Sequence, residues 1–252
     1  MMSELEGLYG IWLREFKVFQ REKSRVISAV AQPIIWLFLL GGGIGASIDT
    51  SRIGDVDYQH FLFPGIVAMS TMFGTVFYGL YIVWDRKIDV LKEILVAPIS
   101  RITVFFGKVL GGATDAMITA FILLLLGVVL VGVSPVGVVA GLGLALLLAV
   151  GMVSIGLTLG AFFESMEGFQ VIITFMIFPL FFLSAALYPI AGLDPVLGAA
   201  VRANPVTYAV DGLRGALIGR NYFPLWLDLA VIVLFDAAMV LVGTWAFRRM
   251  KL

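Results

Sequence analysis

Apolar residues in this chain gather into six long runs separated by short polar segments. The runs lie at about 26–48, 61–84, 102–131, 136–163, 169–189 and 224–247. About 20 helical residues, rising 1.5 Å each, cross a hydrocarbon core of about 30 Å. The pattern predicts an all-α integral membrane protein with six transmembrane helices.

Two stretches break the pattern. Before the first run, Leu5, Leu8, Tyr9, Trp12, Leu13, Phe16 and Phe19 recur at helical spacing, with Glu6, Arg14, Lys17 and Arg21 on other faces. This predicts an amphipathic interfacial helix over 1–25, its basic residues toward anionic lipid, followed by one transmembrane domain over 26–252. Between Ile190 and Phe223 the chain stays apolar but carries Pro195, Pro205 and several glycines. Irregular backbone at membrane depth needs protein or a watery cavity around it. The segment predicts two short outer helices broken near Asn204-Pro205, re-entrant or lying on the leaflet.

Composition agrees with a membrane setting, since 61% of residues are hydrophobic and 13% charged, against roughly 25% charged in soluble domains. The first 25 residues are charged throughout and show no cleavage pattern, so they do not read as a signal peptide. Basic residues decide the orientation. Arg14, Lys17, Arg21, Lys23, Arg25, Arg86, Lys87, Lys92, Arg101, Lys108, Arg248, Arg249 and Lys251 fall on one side, and Arg52, Arg202, Arg214 and Arg220 on the other. The richer side, with both termini and the 85–101 loop, is expected to be cytoplasmic.

Few chemistries are open to these residues. There is no Cys, and the single His60 opens a span, where an interfacial role is expected. No phosphate-cradling glycine loop ending in Gly-Lys-Ser/Thr is present, so ATP-driven work would fall to another polypeptide. The charged loop DRKIDVLKEILVAPISR stands out. Ile88, Leu91, Ile94 and Leu95 make one stripe, Arg86, Asp89, Lys92 and Glu93 lie away from it, and Pro98 ends the helix. A helix of about three turns built this way suits the groove of a partner protein. It equally suits a solvated loop resting on headgroups.

Charges inside spans are costly and mark candidates. Asp115 lies midway along the third span and Asp236 midway along the sixth. Packing or hydrogen bonding with Thr114, Thr119 or Thr244 is one reading, and substrate or proton handling the other. Asp228, near the end of its span, is expected to be interfacial. Glu164 and Glu167 form an acidic turn on the basic side, a second partner contact or a solvated turn. Phe73, Phe77, Tyr78 and Tyr81 share one span, where they could line an amphiphile path or face lipid. Gly41 and Gly45, Gly137 and Gly141, and Gly156 and Gly160 allow close helix approach.

The stretch VLKEILVAPISRITVFFGKVLGG resembles the cytoplasmic-loop motif of ABC-2 family exporter membrane subunits. Glu93, Ile94-Leu95, Pro98, Ser100-Arg101 and Gly107-Lys108 carry the match. Tyr188-Pro189, Leu193-Asp194-Pro195, Asn204-Pro205 and Arg214 resemble the family's outer segment, and Phe63-Pro64-Gly65 the opening of its second span. Daunorubicin-resistance-type drug permeases are nearest in look, with lipo-oligosaccharide and polysaccharide exporters next.

The resemblance implies two copies of the chain, or the chain and a paralogue, paired with two ATPase subunits that hold ATP and Mg. Neither cofactor is expected in this chain. The 85–101 helix would couple to the ATPase through Asp85, Arg86, Lys87, Asp89, Lys92, Glu93, Leu95, Pro98 and Arg101. An amphiphilic drug, lipid or lipid-linked glycan would move outward between the copies, across the cell membrane. Nothing in the charge pattern calls for nucleic acid. The competing readings are a proton- or ion-coupled carrier using Asp115 and Asp236, and a membrane scaffold without transport.

Overall fold

The computed structural model describes residues 3–45 and 56–250; Arg52 and the end of the first predicted span, 46–48, lie outside the described residues. Capping residues in the sequence start most of the helices. Ser3, Asp57, Ser100, Ser134, Ser165, Asp194 and Asn204 each accept a hydrogen bond from a backbone N–H two or three residues on, closing donors a helix start leaves open. Pro135, Pro195 and Pro205 follow three of these caps, where a missing N–H costs nothing.

The helices are α1 (Glu4–Arg21), α2 (Lys23–Ile44), α3 (Tyr58–Val76), α4 (Leu80–Lys87), α5 (Val90–Val96), α6 (Arg101–Leu130), α7 (Pro135–Phe162), α8 (Met166–Phe182), α9 (Pro195–Ala203), α10 (Pro205–Ile218) and α11 (Leu225–Arg249). Among the described residues there is no strand. A single turn of 3-10 helix, Phe77–Gly79, joins α3 to α4 into one 30-residue rod. Among the described residues five helices are long and apolar enough to cross a membrane: Val26–Gly43, Tyr58–Lys87, Arg101–Leu130, Pro135–Phe162 and Leu225–Arg249. The protein is a multi-pass, all-α membrane protein.

The fifth predicted run differs from expectation. Its helix, α8, has 17 residues and stops at Phe182, seven short of the predicted end at Pro189. That is about 26 Å of helix, less than a typical hydrocarbon core. Pro179 interrupts its last turns, and Ala185 takes a positive φ of 56° just beyond. The carbonyls freed there are taken by polar side chains around α10. Asn204 Nδ2 donates to Leu180 O at 2.7 Å, Thr207 Oγ1 to Leu183 O at 3.2 Å and Arg214 Nη2 to Ala185 O at 2.9 Å. The break therefore survives at depth because protein donors replace the lost helical N–H groups.

Helix α7 is the hub, contacting α3, α6, α10 and α11. Its tightest neighbour is the α3–α4 rod. A Cβ on Gly79 would sit 1.9 Å from Gly156 O, and one on Gly160 would sit 2.4 Å from Gly79 O. Two backbones meet directly here, which only glycine allows. The small-residue pairs at 41/45, 137/141 and 156/160 thus face residues of the same chain, respectively Gln59 and Tyr58, Ala216 and Leu217, and Val76 and Gly79.

Candidate functional site

At the end of the bundle richest in basic residues, α4, α5 and the start of α6 form a hairpin. The rod ends at Lys87, Asp89 turns the chain with φ 60°, and α5 follows. The predicted single helix is therefore two pieces with a left-handed joint. Leu91 is buried, and Ile94 and Leu95 pack against the same small core, whereas Ile88 is exposed and leaves the predicted stripe. Lys87, Asp89, Lys92, Glu93 and Pro98 are exposed around this hairpin, and Lys92 pairs with Asp89 at 2.7 Å. Arg101 is half-buried and donates to Met250 O at 2.6 Å and Arg248 O at 3.2 Å, tying the hairpin to the end of α11.

Two residues expected on this surface point inward. Asp85 is 3% exposed. It accepts from Arg14 Nη2 at 2.6 Å and from Lys108 Nζ at 2.8 Å. Arg86 donates to Ala161 O at 2.9 Å and Phe163 O at 2.5 Å, closing carbonyls at the end of α7. Asp85 is thus removed from the outward surface by its two cationic partners, while Arg86 braces the turn that exposes Glu164 and Glu167.

Asp85 belongs to a cluster of four charges in which Glu15, Asp85 and Lys108 are buried and Arg14 is partly exposed. Lys108, fully buried, also donates to Glu15 at 2.8 Å; Arg14 donates to Glu15 at 2.7 Å; and Tyr78 Oη donates to Glu15 at 2.8 Å. Two cations and two carboxylates cancel, which lets the group sit in a low-dielectric place. Burial opposes ionisation of Glu15, but Lys108, Arg14 and the Tyr78 hydroxyl outweigh it and hold the carboxyl below its usual value. Burial likewise opposes the charge on Arg14, and Asp85 and Glu15 more than offset it. Helix α1 is also fixed by Trp12 Nε1 donating to Thr114 Oγ1 at 3.0 Å, and by Glu4 accepting from Ser100 N at 3.1 Å and from the Thr103 hydroxyl. It thereby clasps both stems of the hairpin.

A groove of about 980 Å³ opens between α2, the α3–α4 rod and α8. Trp36, Phe73, Phe77, Tyr81, Trp84, Phe178, Phe181 and Phe182 supply its aromatic wall. Of the four predicted aromatics, Phe73, Phe77 and Tyr81 line it. Tyr78 turns the other way, to Glu15. Asp115 and Asp236 are buried and line no part of this groove. The predicted threonine partners bond elsewhere: Thr114 to Leu110 O, Thr119 to the backbone carbonyl of Asp115, and Thr244 to Leu241 O. Asp228, expected at an interface, is fully buried.

At the far end, Tyr188 Oη donates to Phe182 O at 2.6 Å, and Pro189 lies in the turn after α8. Asn204 caps α10, and Pro205 is its first residue. Arg214, 4% exposed, lies over the Phe61 ring at 4.0 Å from its centre. These residues hold the turn after α8 against α3 and α10.

The sequence profile of the ABC-2 type transporter family matches residues 6–218. The chain belongs to that family. Its relatives include the inner membrane transport permease YadH of Escherichia coli K12, 27% identical over 94% of this chain and 92% of YadH. Nodulation protein J of Rhizobium leguminosarum bv. viciae is 24% identical over 95% of this chain and 93% of its own length. The putative transport permease ycf38 of Cyanophora paradoxa is 25% identical over 97% and 89% respectively. ABC-2 family members are membrane subunits of transporters and are not themselves catalytic.

In this ABC-2 permease the sequence reading missed Arg14, Glu15 and Tyr78 as a connected group. A signal was present. Gly7, Ile11, Glu15 and Phe19 recur every four residues and form the buried face of α1, while Leu5 and Tyr9 are exposed. A carboxylate in register with a buried stripe demands a cation opposite it.

Proposed function

We propose that this chain is the membrane subunit of an ATP-driven exporter that moves an amphiphile outward, with a separate ATPase subunit supplying hydrolysis of Mg-ATP. The observation that carries this reading is the hairpin: a charged, exposed α5 mounted on stems that a buried ion cluster and α1 hold rigid. A flexible tether has no need of such bracing. Force applied at Lys87, Asp89, Lys92, Glu93 or Pro98 passes into the α3–α4 rod and α6, and through α1 into α2. The half-buried Leu95 and Arg101 anchor that surface, and Glu164 and Glu167 lie on the turn Arg86 braces, as a second contact.

In this reading both termini and the hairpin are cytoplasmic, and α1 is the interfacial helix. Helix α8 counts as a short fifth span of six, with α9 and α10 forming the outer re-entrant pair. Two copies, or the chain and a paralogue, face each other across their grooves in the cell membrane. The chain resembles drug permeases most and lipo-oligosaccharide and polysaccharide exporters next, and in this reading the amphiphile is a drug, a lipid or a lipid-linked glycan.

The test is a mild-detergent pull-down of the tagged chain from its own host. A stoichiometric ATPase with a phosphate-cradling glycine loop, lost on Glu93→Arg, is the expected result. An ATPase retained by Glu93→Arg would remove the hairpin from the interface, and a preparation with no ATPase would overturn the exporter reading.

A further inference from the structure

The groove is not uniformly apolar. Its α2 wall carries Ser28, Ala29 and Gln32 on adjoining turns, and its α3 wall carries Ser70. Pro33 lies inside α2 and has no N–H, so the carbonyl of Ala29 loses its helical donor. Ser70 Oγ reaches that carbonyl at the long distance of 3.4 Å. Among the described residues no hydrogen bond is made by the Gln32 amide or the Ser28 hydroxyl, and both side chains are exposed to the groove. These groups lie about 8–14 Å along α2 from its first residue, within the stretch apolar enough to span the bilayer. An amide left open to lipid tails is costly, and such groups ordinarily face a partner, a pathway or a ligand.

Among the described residues the belt has donors and acceptors but no charge. Among the described residues the one carboxylate on the groove wall is Glu22, about two turns nearer the basic end, where it accepts from Tyr81 Oη at 2.9 Å. The wall is aromatic and aliphatic on both sides of the belt: Trp36 and Leu40 follow it along α2, and Phe73, with Phe178 against it, lies one turn past Ser70 toward the basic end. An ionic head group brought to the belt would leave water and meet no counter-charge among the described belt residues, whereas a hydroxyl or amide would trade water for Gln32, Ser28 and the Ala29 carbonyl. The volume, about 980 Å³, is that of sites for drug-sized ligands.

We infer that the groove binds an uncharged amphiphile, its hydroxyl- or amide-bearing head on the belt of Ser28, Gln32, Ser70 and the Ala29 carbonyl, and its apolar body against the aromatic wall. This deepens the exporter reading and rests on it for the step of transport. The belt selects the head by hydrogen bonding, and the aromatic wall holds the body with little regard to its shape. An acyl chain alone would leave the Gln32 amide unsatisfied.

The experiment uses the full chain, with whatever ATPase accompanies it, in phosphatidylcholine nanodiscs. Three probes share a brominated twelve-carbon tail and carry a glucoside, trimethylammonium or phosphate head. Saturable quenching of Trp36 fluorescence reports binding, with Trp36→Phe as the control. The glucoside should half-saturate at a concentration about fivefold or more below the charged probes, the weight of one good hydrogen bond. Gln32→Leu, and separately Ser70→Ala, should remove that preference and leave the charged probes unchanged. Equal binding of all three heads would make the groove an acyl-chain seat and overturn the proposal. Preference for a charged head would also overturn it, as would absence of saturable quenching, the result expected if a second copy fills the groove. The readout needs no ATP turnover. Head-group selection without a co-purifying ATPase would keep this site and sink the exporter reading; an ATPase without selection would do the reverse.

Discussion

Replacing Lys108 by Met takes away the buried ammonium that Glu15 and Asp85 share, each at 2.8 Å, and leaves Arg14 alone to balance two carboxylates. A unit-charge pair at about 4 Å is worth about 4 kcal/mol at an effective dielectric constant near 20, and Lys108 makes two closer contacts. Desolvation of the ammonium, several kcal/mol, offsets much of this. The balance resembles other buried pairs broken from one side, about 3–5 kcal/mol. The cost falls on the attachment of α1, since Glu15 and Arg14 are its main charged anchors to α4 and α6. Amide hydrogen exchange of α1 in micelles reads that opening directly. Lys108→Met should speed exchange across α1 by about 10²–10³-fold while α7 stays protected. The double variant Lys108→Met/Glu15→Gln leaves Arg14 and Asp85 as a neutral pair and should exchange more slowly than Lys108→Met alone. Exchange within tenfold of wild type in the single variant, or a double variant worse than the single, would refute the picture of a charge-balanced cluster holding α1.

The same cluster sets a pH response. Glu15 has a folded pKa below its ordinary value, so its contribution to holding α1 is complete above about 4.3 and is lost as pH falls through the depressed folded value; α1 protection should therefore hold at neutral pH and collapse only in acid, and loss of protection between pH 6 and 8 would contradict it. Gly79→Val would drive a side chain into the Gly156 carbonyl, 1.9 Å from where its Cβ would stand. It should abolish accumulation of folded protein in the membrane, and a well-folded Gly79→Val preparation would show that the rod and α7 do not meet there.

Much of the hairpin was legible in the sequence. Asp85 to Arg101 is charged, ends at Pro98 and matches a family motif, and the structure leaves Lys92 and Glu93 exposed on it. What failed was the inward pair, because charge in a loop reads as solvent-facing unless its partner is known. Asp85 lies 71 residues from Arg14 and 23 from Lys108, and no local pattern connects them. The aromatic set shows the same limit. Helical spacing put Phe73, Phe77, Tyr78 and Tyr81 on one span, but only packing could turn Tyr78 toward α1 and the others toward α2 and α8.

The sequence by itself determined the membrane setting and the helical class, because hydrocarbon admits only backbone that bonds within its own segment, and long apolar runs announce such segments. It also marked most helix starts, because capping is a contact between residues two or three apart. Tertiary structure decided the end of α8 at Phe182, where Asn204, Thr207 and Arg214 satisfy the carbonyls that a longer helix would have kept. It decided the neutral pairing of Arg14, Glu15, Asp85 and Lys108, and the groove into which Gln32 opens. Each of these is a balance of polar groups in a place without water, and that balance exists only once distant helices are side by side.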